Sequence, residues 1–364
     1  KIDNLQLNYI SRGRQITLQG LQLNGKNFIP GGAITLEFQT EFAVKEEAPV
    51  APSTGQQTES PMAVSGHVQS SINLQVDDRF IPRSAQGEIS IEKLLGRVAG
   101  ESMEGFSALV KLDLSSSANG VSILKEAQAA IRRNGVVLTS LGATGPFDLA
   151  RKEADLDVQI GPIRSNVLNV LFASKKLDFL DSSLSYVGHL SLVKGGKLLK
   201  ADGRLEANPL NLASPQWPSG LWKPVSLTAE HSAEMDWIQH SMLLTKLNLD
   251  STQQGKPLLK GSLSKPMLIS WAENPPANER SDAADFSVRL YPVDMLPFVP
   301  LLGLPDDWKL ASGILDATAK VVATDQGRNL TLDGHVGISG VALTASVLKL
   351  ENTALIFDGK VAVK

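Results

Sequence analysis

Ile34-Thr35-Leu36-Glu37-Phe38-Gln39 alternates apolar and polar side chains without a break. A period of two puts the apolar residues on one face of a β-strand and the polar residues on the other. Leu5-Gln6-Leu7-Asn8-Tyr9 and Ile16-Thr17-Leu18-Gln19 precede it with the same pattern, and Ile72-Asn73-Leu74-Gln75-Val76 follows it. The pattern returns in Leu112-Asp113-Leu114, in Leu156-Asp157-Val158-Gln159-Ile160 and in Leu247-Asn248-Leu249-Asp250. Phe286-Ser287-Val288-Arg289-Leu290 and Leu330-Thr331-Leu332-Asp333 repeat it once more. Long helical periodicities are nearly absent. The sequence therefore predicts a mostly β fold, an elongated and curled antiparallel sheet forming a groove, built from repeats with a few short helices.

The turns recur as well. Gly13, Gly135, Gly196 and Gly327 each open a G-x-x-(I/L)-x-x-x-G stretch, and Gly255 opens a copy one residue shorter. Their steps lie near roughly 60 residues or a multiple of it, a spacing typical of repeat proteins. A second recurring unit is strand, short apolar helix, strand. It places helices at residues 93–99, 166–172 and 293–302, with a weaker copy at 209–213. Residues 122–133 read as the first arm of a hairpin turning at Asn134-Gly135, since Asn-Gly supplies the backbone of a tight hairpin.

Residues 46–60 and 272–284 are rich in Pro and polar residues and read as loops. They divide the chain into an N-terminal β segment (1–45), a central repeated β-groove region (61–271) and a C-terminal β repeat (285–364). The chain opens on Lys1-Ile2-Asp3 without an initiator Met. It is expected to be a piece of a longer protein. No signal-peptide pattern and no apolar run long enough to span a bilayer is present in the sequence.

Composition narrows the function classes. Over 364 residues, 42% are hydrophobic and 20% charged, which suits a folded chain. A net charge of −3 with interleaved signs argues against a nucleic-acid partner. With no cysteine, thiolate chemistry, disulfides and Cys-ligated metals are excluded.

The five histidines, His67, His189, His231, His240 and His335, form no HExxH and no close ligand pair. No GxSxG, Walker A or GxGxxG occurs. Asp155/Asp157 read as the wet face of a strand, and Asp306/Asp307 as residues beside a turn. Asn329-Leu330-Thr331 is a glycosylation sequon of the kind that arises by chance inside a strand. No catalytic residue, cofactor or metal is expected, and the chain reads as a binding protein without enzymatic activity.

A sheet of such strands must cover its apolar face. The few short helices are too small for that. The sheet packs on another sheet, closes on itself, or stays open as a trough for an apolar guest. The third solution names candidate groove residues: Leu5, Leu7, Ile16, Leu18, Ile34, Leu36, Phe38, Ile72, Leu74, Leu156, Val158, Ile160, Leu247, Leu249, Phe286, Val288 and Leu290. For each of them the competing reading is ordinary core.

KIDNLQLNYISRGRQITLQGLQLNG (residues 1–25), GGAITLEFQTEFAV (31–44) and SGHVQSSINLQVDDRFIP (65–82) resemble segments of the AsmA-like proteins of the Gram-negative envelope. KADGRLEANPLNLAS (200–214), GKPLLKGSLSKPM (255–267) and VDMLPFVPLLGLPDDWKLASGILDATAKV (293–321) resemble their recurring motifs. The resemblance implies a bridge-like lipid-transfer structure with a hydrophobic groove. It also implies a periplasmic location with an inner-membrane helix in the full-length protein. Its partners would be phospholipid, the inner membrane and other envelope proteins, and its role phospholipid movement between inner and outer membrane. That family has no invariant catalytic residue, so no site is carried over. A closed β scaffold in outer-membrane protein biogenesis is the alternative on the same strands. An outer-membrane barrel fits less well, because aromatics are 5% and no Tyr/Trp girdle is visible.

Overall fold

The structure is a computed structural model. It describes residues 1–11, 14–46, 62–98, 101–116, 122–148, 150–172, 177–214, 223–272, 284–296, 307–324, 329–345 and 349–363. The chain divides into two compact units, Lys1–Lys175 and Lys176–Lys364.

The first unit holds β1 (Ile2–Ser11), β2 (Arg14–Lys26), β3 (Ala33–Glu46), β4 (Ala63–Val76), β5 (Pro82–Val98), β6 (Glu101–Ser102), β7 (Phe106–Ser116), β8 (Ser122–Arg133), β9 (Val136–Asp148), β10 (Glu153–Arg164) and α1 (Ser165–Leu171). From β1 to β5 each strand pairs antiparallel with the next. β5 then pairs with both β6 and β7, and the meander runs on through β8 and β9 to β10.

The second unit holds β11 (Ser183–Val193), β12 (Leu198–Leu210), β13 (Val225–Asp236), β14 (Ser241–Gln253), β15 (Lys256–Leu263), β16 (Met267–Ser270), β17 (Ala284–Asp294), β18 (Lys309–Thr324), β19 (Asn329–Thr344) and β20 (Lys349–Val363). It is also an antiparallel meander. β14 divides its edge between β15 and β16, and β15 leads to β17. β18, β19 and β20 follow in order. The expected mostly antiparallel β fold is what the chain adopts. The segments 46–60 and 272–284 do not separate sheets, because β3 pairs with β4, and β15 with β17, across them. Residues 47–61 and 273–283 themselves lie outside the described residues.

The hairpin at Asn134-Gly135 forms as the sequence predicts. Both residues have positive φ, 50° and 81°, the backbone that makes a two-residue turn match the strand twist. Of the four expected helices, the one at 166–172 is present as α1. Its seven residues carry no side-chain cap, so packing must hold it. Val167 joins Phe106 and Leu138 in a buried cluster flanked by Leu94, Met103 and Ile163, while Leu168 is only 1% exposed.

Of the helix expected at 93–99, Lys93–Val98 instead end β5, and residue 99 lies outside the described residues. Lys93 and Leu94 together oppose the single residue Gly66, a β-bulge with Lys93 at φ 52°. The bulge breaks the alternation and so mimics a helical pattern. The weak copy at 209–213 is not a helix either. Leu210 still pairs with Val225, and Ala213 bridges to Asp178 through two 2.8 Å backbone bonds. A proline at 209 already biases its predecessor away from helix. In the segment 293–302, Val293 and Asp294 complete β17 opposite Leu315 and Ile314, and residues 297–302 lie outside the described residues.

Bulges recur where the apolar phase changes. In β2 the apolar phase changes from Ile16 and Leu18 to Leu21 and Leu23. Gly20 and Leu21 there oppose the single residue Thr40. Gly20 sits at φ 62°, which an L side chain adopts only with strain. The extra residue rotates the strand by one position, so all four apolar side chains stay on one face. The same shift of phase accompanies the irregularities between Ile338 and Val341 in β19 and around Thr245 in β14. At the first bulge Thr40 is 2% exposed, and its hydroxyl donates to the Gln19 carbonyl at 3.0 Å.

Thr40→Val keeps the shape of the side chain and removes that donor. It should destabilise the protein by about 0.5–1.5 kcal/mol, the net worth of one intramolecular hydrogen bond. Urea unfolding of both proteins measures this, and an unchanged midpoint would mean the bond does not hold the bulge.

A candidate apolar binding face

Residues directly opposite in an antiparallel ladder lie on the same face of the sheet. The register therefore places the side chains. In the first unit Leu23, Phe38, Ser70, Ile89, Val110, Ala129, Leu141 and Ile160 stand opposite one another in succession, with Ile2 completing the row in β1. A parallel row runs through Leu36, Ile72, Gly87, Leu112, Ala127, Ala143 and Val158. The first row crosses nine strands, and at roughly 4.8 Å per strand it is about 38 Å long.

In the second unit one row passes Leu205, Ala229, Leu249, Gly261, Val288 and Ala319. Its neighbour passes Ala207, Leu227, Ser251, Leu259, Leu290, Ala317 and Val336.

The predicted residues fall on these faces. Ile34, Leu36, Phe38, Ile72 and Leu74 occupy adjoining positions of β3 and β4. Leu156, Val158 and Ile160 line β10, alternating with the exposed Asp155, Asp157 and Gln159. Ile16 and Leu18 face Val44 and Phe42 of β3 on one side, and Tyr9 and Leu7 of β1 on the other. Leu5 opposes Leu21. Leu247 and Leu249 lie opposite His231 and Ala229, while Phe286, Val288 and Leu290 face Leu263, Gly261 and Leu259. The register brings together residues within each unit.

Only Ile34 of the predicted set is fully buried. Leu5 and Leu7 are exposed, and the remaining fourteen are half-buried. The face also includes residues outside the candidate groove set, among them Leu112, whose strand the alternation marks. Ile89, Val110, Leu112 and Leu141 are 39%, 39%, 38% and 42% exposed although they sit in the middle of the sheet. A cross-strand neighbour shields the edges of such a side chain, but on this face their tops remain in water. Tertiary packing normally removes this much of a central Leu or Ile side chain from solvent.

The opposite face is polar and ionically paired. Lys26 bonds both oxygens of Glu37 at 3.1 and 3.0 Å, and Asn24 adds a third bond at 3.2 Å. The hydrogen bond from Lys26, followed by its charge, holds the Glu37 carboxyl below the usual carboxylate range. In the second unit Lys246 lies 2.9 Å from Glu230 and lowers that carboxyl in the same way, first by hydrogen bonding and then by charge. His67 meets Glu41 at 2.9 Å and His335 meets Asp358 at 2.7 Å.

Open cavities of about 460, 520 and 420 Å³ lie among these side chains. The first is lined mainly by amides, hydroxyls and paired charges, such as Gln22, Glu37 and Gln69, and suits water and ions rather than an apolar guest. The second also takes in Val288, Tyr291 and Ala319. Among the described residues no three His, Asp or Glu side chains are grouped to hold a metal ion, and no helix is long and apolar enough to cross a membrane.

Because the folded Glu230 carboxyl is more acidic than in the unfolded chain, the Lys246 contact adds stability above about pH 4.5 and loses it as the pH falls through the folded value. Lys246→Met should therefore unfold at lower urea concentration than the wild type near pH 7. The difference should shrink when both are measured near pH 3. A gap independent of pH would assign the lysine a packing role instead.

No protein-family model, no curated protein and no solved structure matches this chain.

Proposed function

We propose that this chain is a periplasmic, AsmA-like lipid-carrying module. Its apolar sheet faces hold phospholipid acyl chains and conduct them between the inner and outer membranes of a bacterial envelope. The observation that carries the proposal is the row Leu23–Phe38–Ser70–Ile89–Val110–Ala129–Leu141–Ile160, apolar at all but one position and still reachable by solvent at its centre. Each methylene that leaves water gains about 0.8 kcal/mol, so one acyl chain gains on the order of 10 kcal/mol. Such a row fixes no position along its length, since Leu, Ile, Val and Ala offer similar contacts at each step. A guest that binds everywhere equally is free to slide. The wet face, with its ion pairs, keeps the other side of the sheet in water. The resemblance to AsmA-like sequences supports the lipid and the compartment, and the tether would be an inner-membrane segment.

A scaffold in outer-membrane protein biogenesis is the second reading. The observation favouring it is β1, where Leu5, Leu7, Tyr9 and Ile10 are all exposed along a strand paired with β2. A partner strand could add there through backbone bonds.

Purified protein incubated with vesicles of phosphatidylethanolamine and phosphatidylglycerol should retain phospholipid in native mass spectrometry. Leu36→Asp places a charge on the apolar row and should reduce the retained lipid at least tenfold. Gln69→Asp, on the wet face, should leave it unchanged. Lipid-free wild-type protein that instead cross-links only to envelope proteins would replace the carrier reading with the scaffold.

A further inference from the structure

On the apolar face of the second unit two polar rings lie side by side. Tyr186 in β11 and His231 in β13 are stacked with ring centroids 5.8 Å apart and planes inclined by 9°. The intervening strand makes room for them. Gly188 and Gly203 face each other there, and Gly203 also faces His231. A β-carbon at either glycine would collide with the Tyr186 phenol oxygen. The phenol thus lies over a floor of bare backbone, in the ring that stacks on the imidazole.

Leu205 and Leu247, the register partners of Tyr186 and His231, continue the apolar face on both sides. Both rings are half-buried. Among the described residues neither the phenol nor the imidazole has a hydrogen-bond partner in the protein. Partial burial, reinforced by the charge of Asp202, pushes the phenol up from its ordinary value and keeps it a donor.

A hydrocarbon chain laid over this spot would strip water from an O–H and an N–H and return nothing. A guest with an acceptor at that point would not pay this penalty. In an esterified lipid the acceptor within the apolar part is the ester carbonyl at the head of each acyl chain. The phenol donor is uncharged, so a carbonyl matches it better than a phosphate, which favours cations.

We propose that Tyr186 and His231 form a station for the ester carbonyl of a glycerolipid, placing the boundary between its acyl chains and its headgroup at β11–β13. This rests on the lipid-carrying reading of the face. It makes the chain selective for ester-linked over ether-linked lipids of the same headgroup.

The test is competition binding to the full chain, read by native mass spectrometry. The two ligands are dioleoyl phosphatidylglycerol and its dialkyl-ether analogue. The wild type should prefer the ester by about fivefold, the size expected of one or two neutral hydrogen bonds. The double variant Tyr186→Phe, His231→Phe keeps the stack over the glycines and should bind both lipids as the wild type binds the ether. Equal binding of ester and ether by the wild type overturns the station and leaves the lipid reading standing. So does a preference that survives in the double variant. Binding of neither lipid overturns both. The wild-type comparison needs no variant to fold.

Discussion

The structure depends on keeping apolar side chains on one face of strands that run ten to seventeen residues in most cases. A pleat sends successive side chains to opposite faces, so a single slip of phase would send half the apolar side chains to the wrong side. Over such lengths twist makes perfect alternation hard to sustain. The chain absorbs this with bulges. Where the phase of β2 changes at Gly20, or that of β5 at Lys93, an extra residue restores the face. A buried threonine hydroxyl fixes the first of these. The bulges also bend and twist the strands that carry them.

The polar face contributes differently. Its ion pairs face water, and pairs of that kind add little to stability. They do not hold the sheet together. The backbone ladder and the contacts between neighbouring apolar side chains do that. The pairs keep charge on one side and so specify which face stays wet. The result is a sheet whose inner chemistry is not fully used by the protein. α1 covers the cluster around Phe106 and Leu138, while the central row at Ile89 and Val110 retains access to solvent.

Much of this was legible in the sequence. Clean alternation at residues 34–39, 72–76 and 156–160 marked strands and assigned their faces correctly, because those segments contain no bulge. Asn134-Gly135 marked its hairpin because the turn backbone is local. The failures came where the local rule was broken. At 93–99 two adjacent leucines, Leu94 and Leu95, looked helical, and the bulge that explains them is visible only when Gly66 is seen opposite. Leu21 and Leu23 escape the alternation because Gly20 interrupts the count. Ile89, Val110 and Leu141 escape it because their importance is their place in a row across strands. Register is a long-range property that one strand's sequence does not contain. His231 read as an ordinary strand histidine. Its position beside Tyr186 and over two glycines depends on three strands at once.

The carrier reading requires one face of the sheet to meet lipid and the other to meet water. A photo-reactive amino acid placed in turn at each of positions 108–114 of β7, in cells expressing the protein, reads this directly. Adducts to phospholipid should appear at Ala108, Val110, Leu112 and Leu114 and be absent at Leu109, Lys111 and Asp113, a period of two along the strand. Lipid adducts at all seven positions, at none, or at the wet-face positions alone would contradict the account.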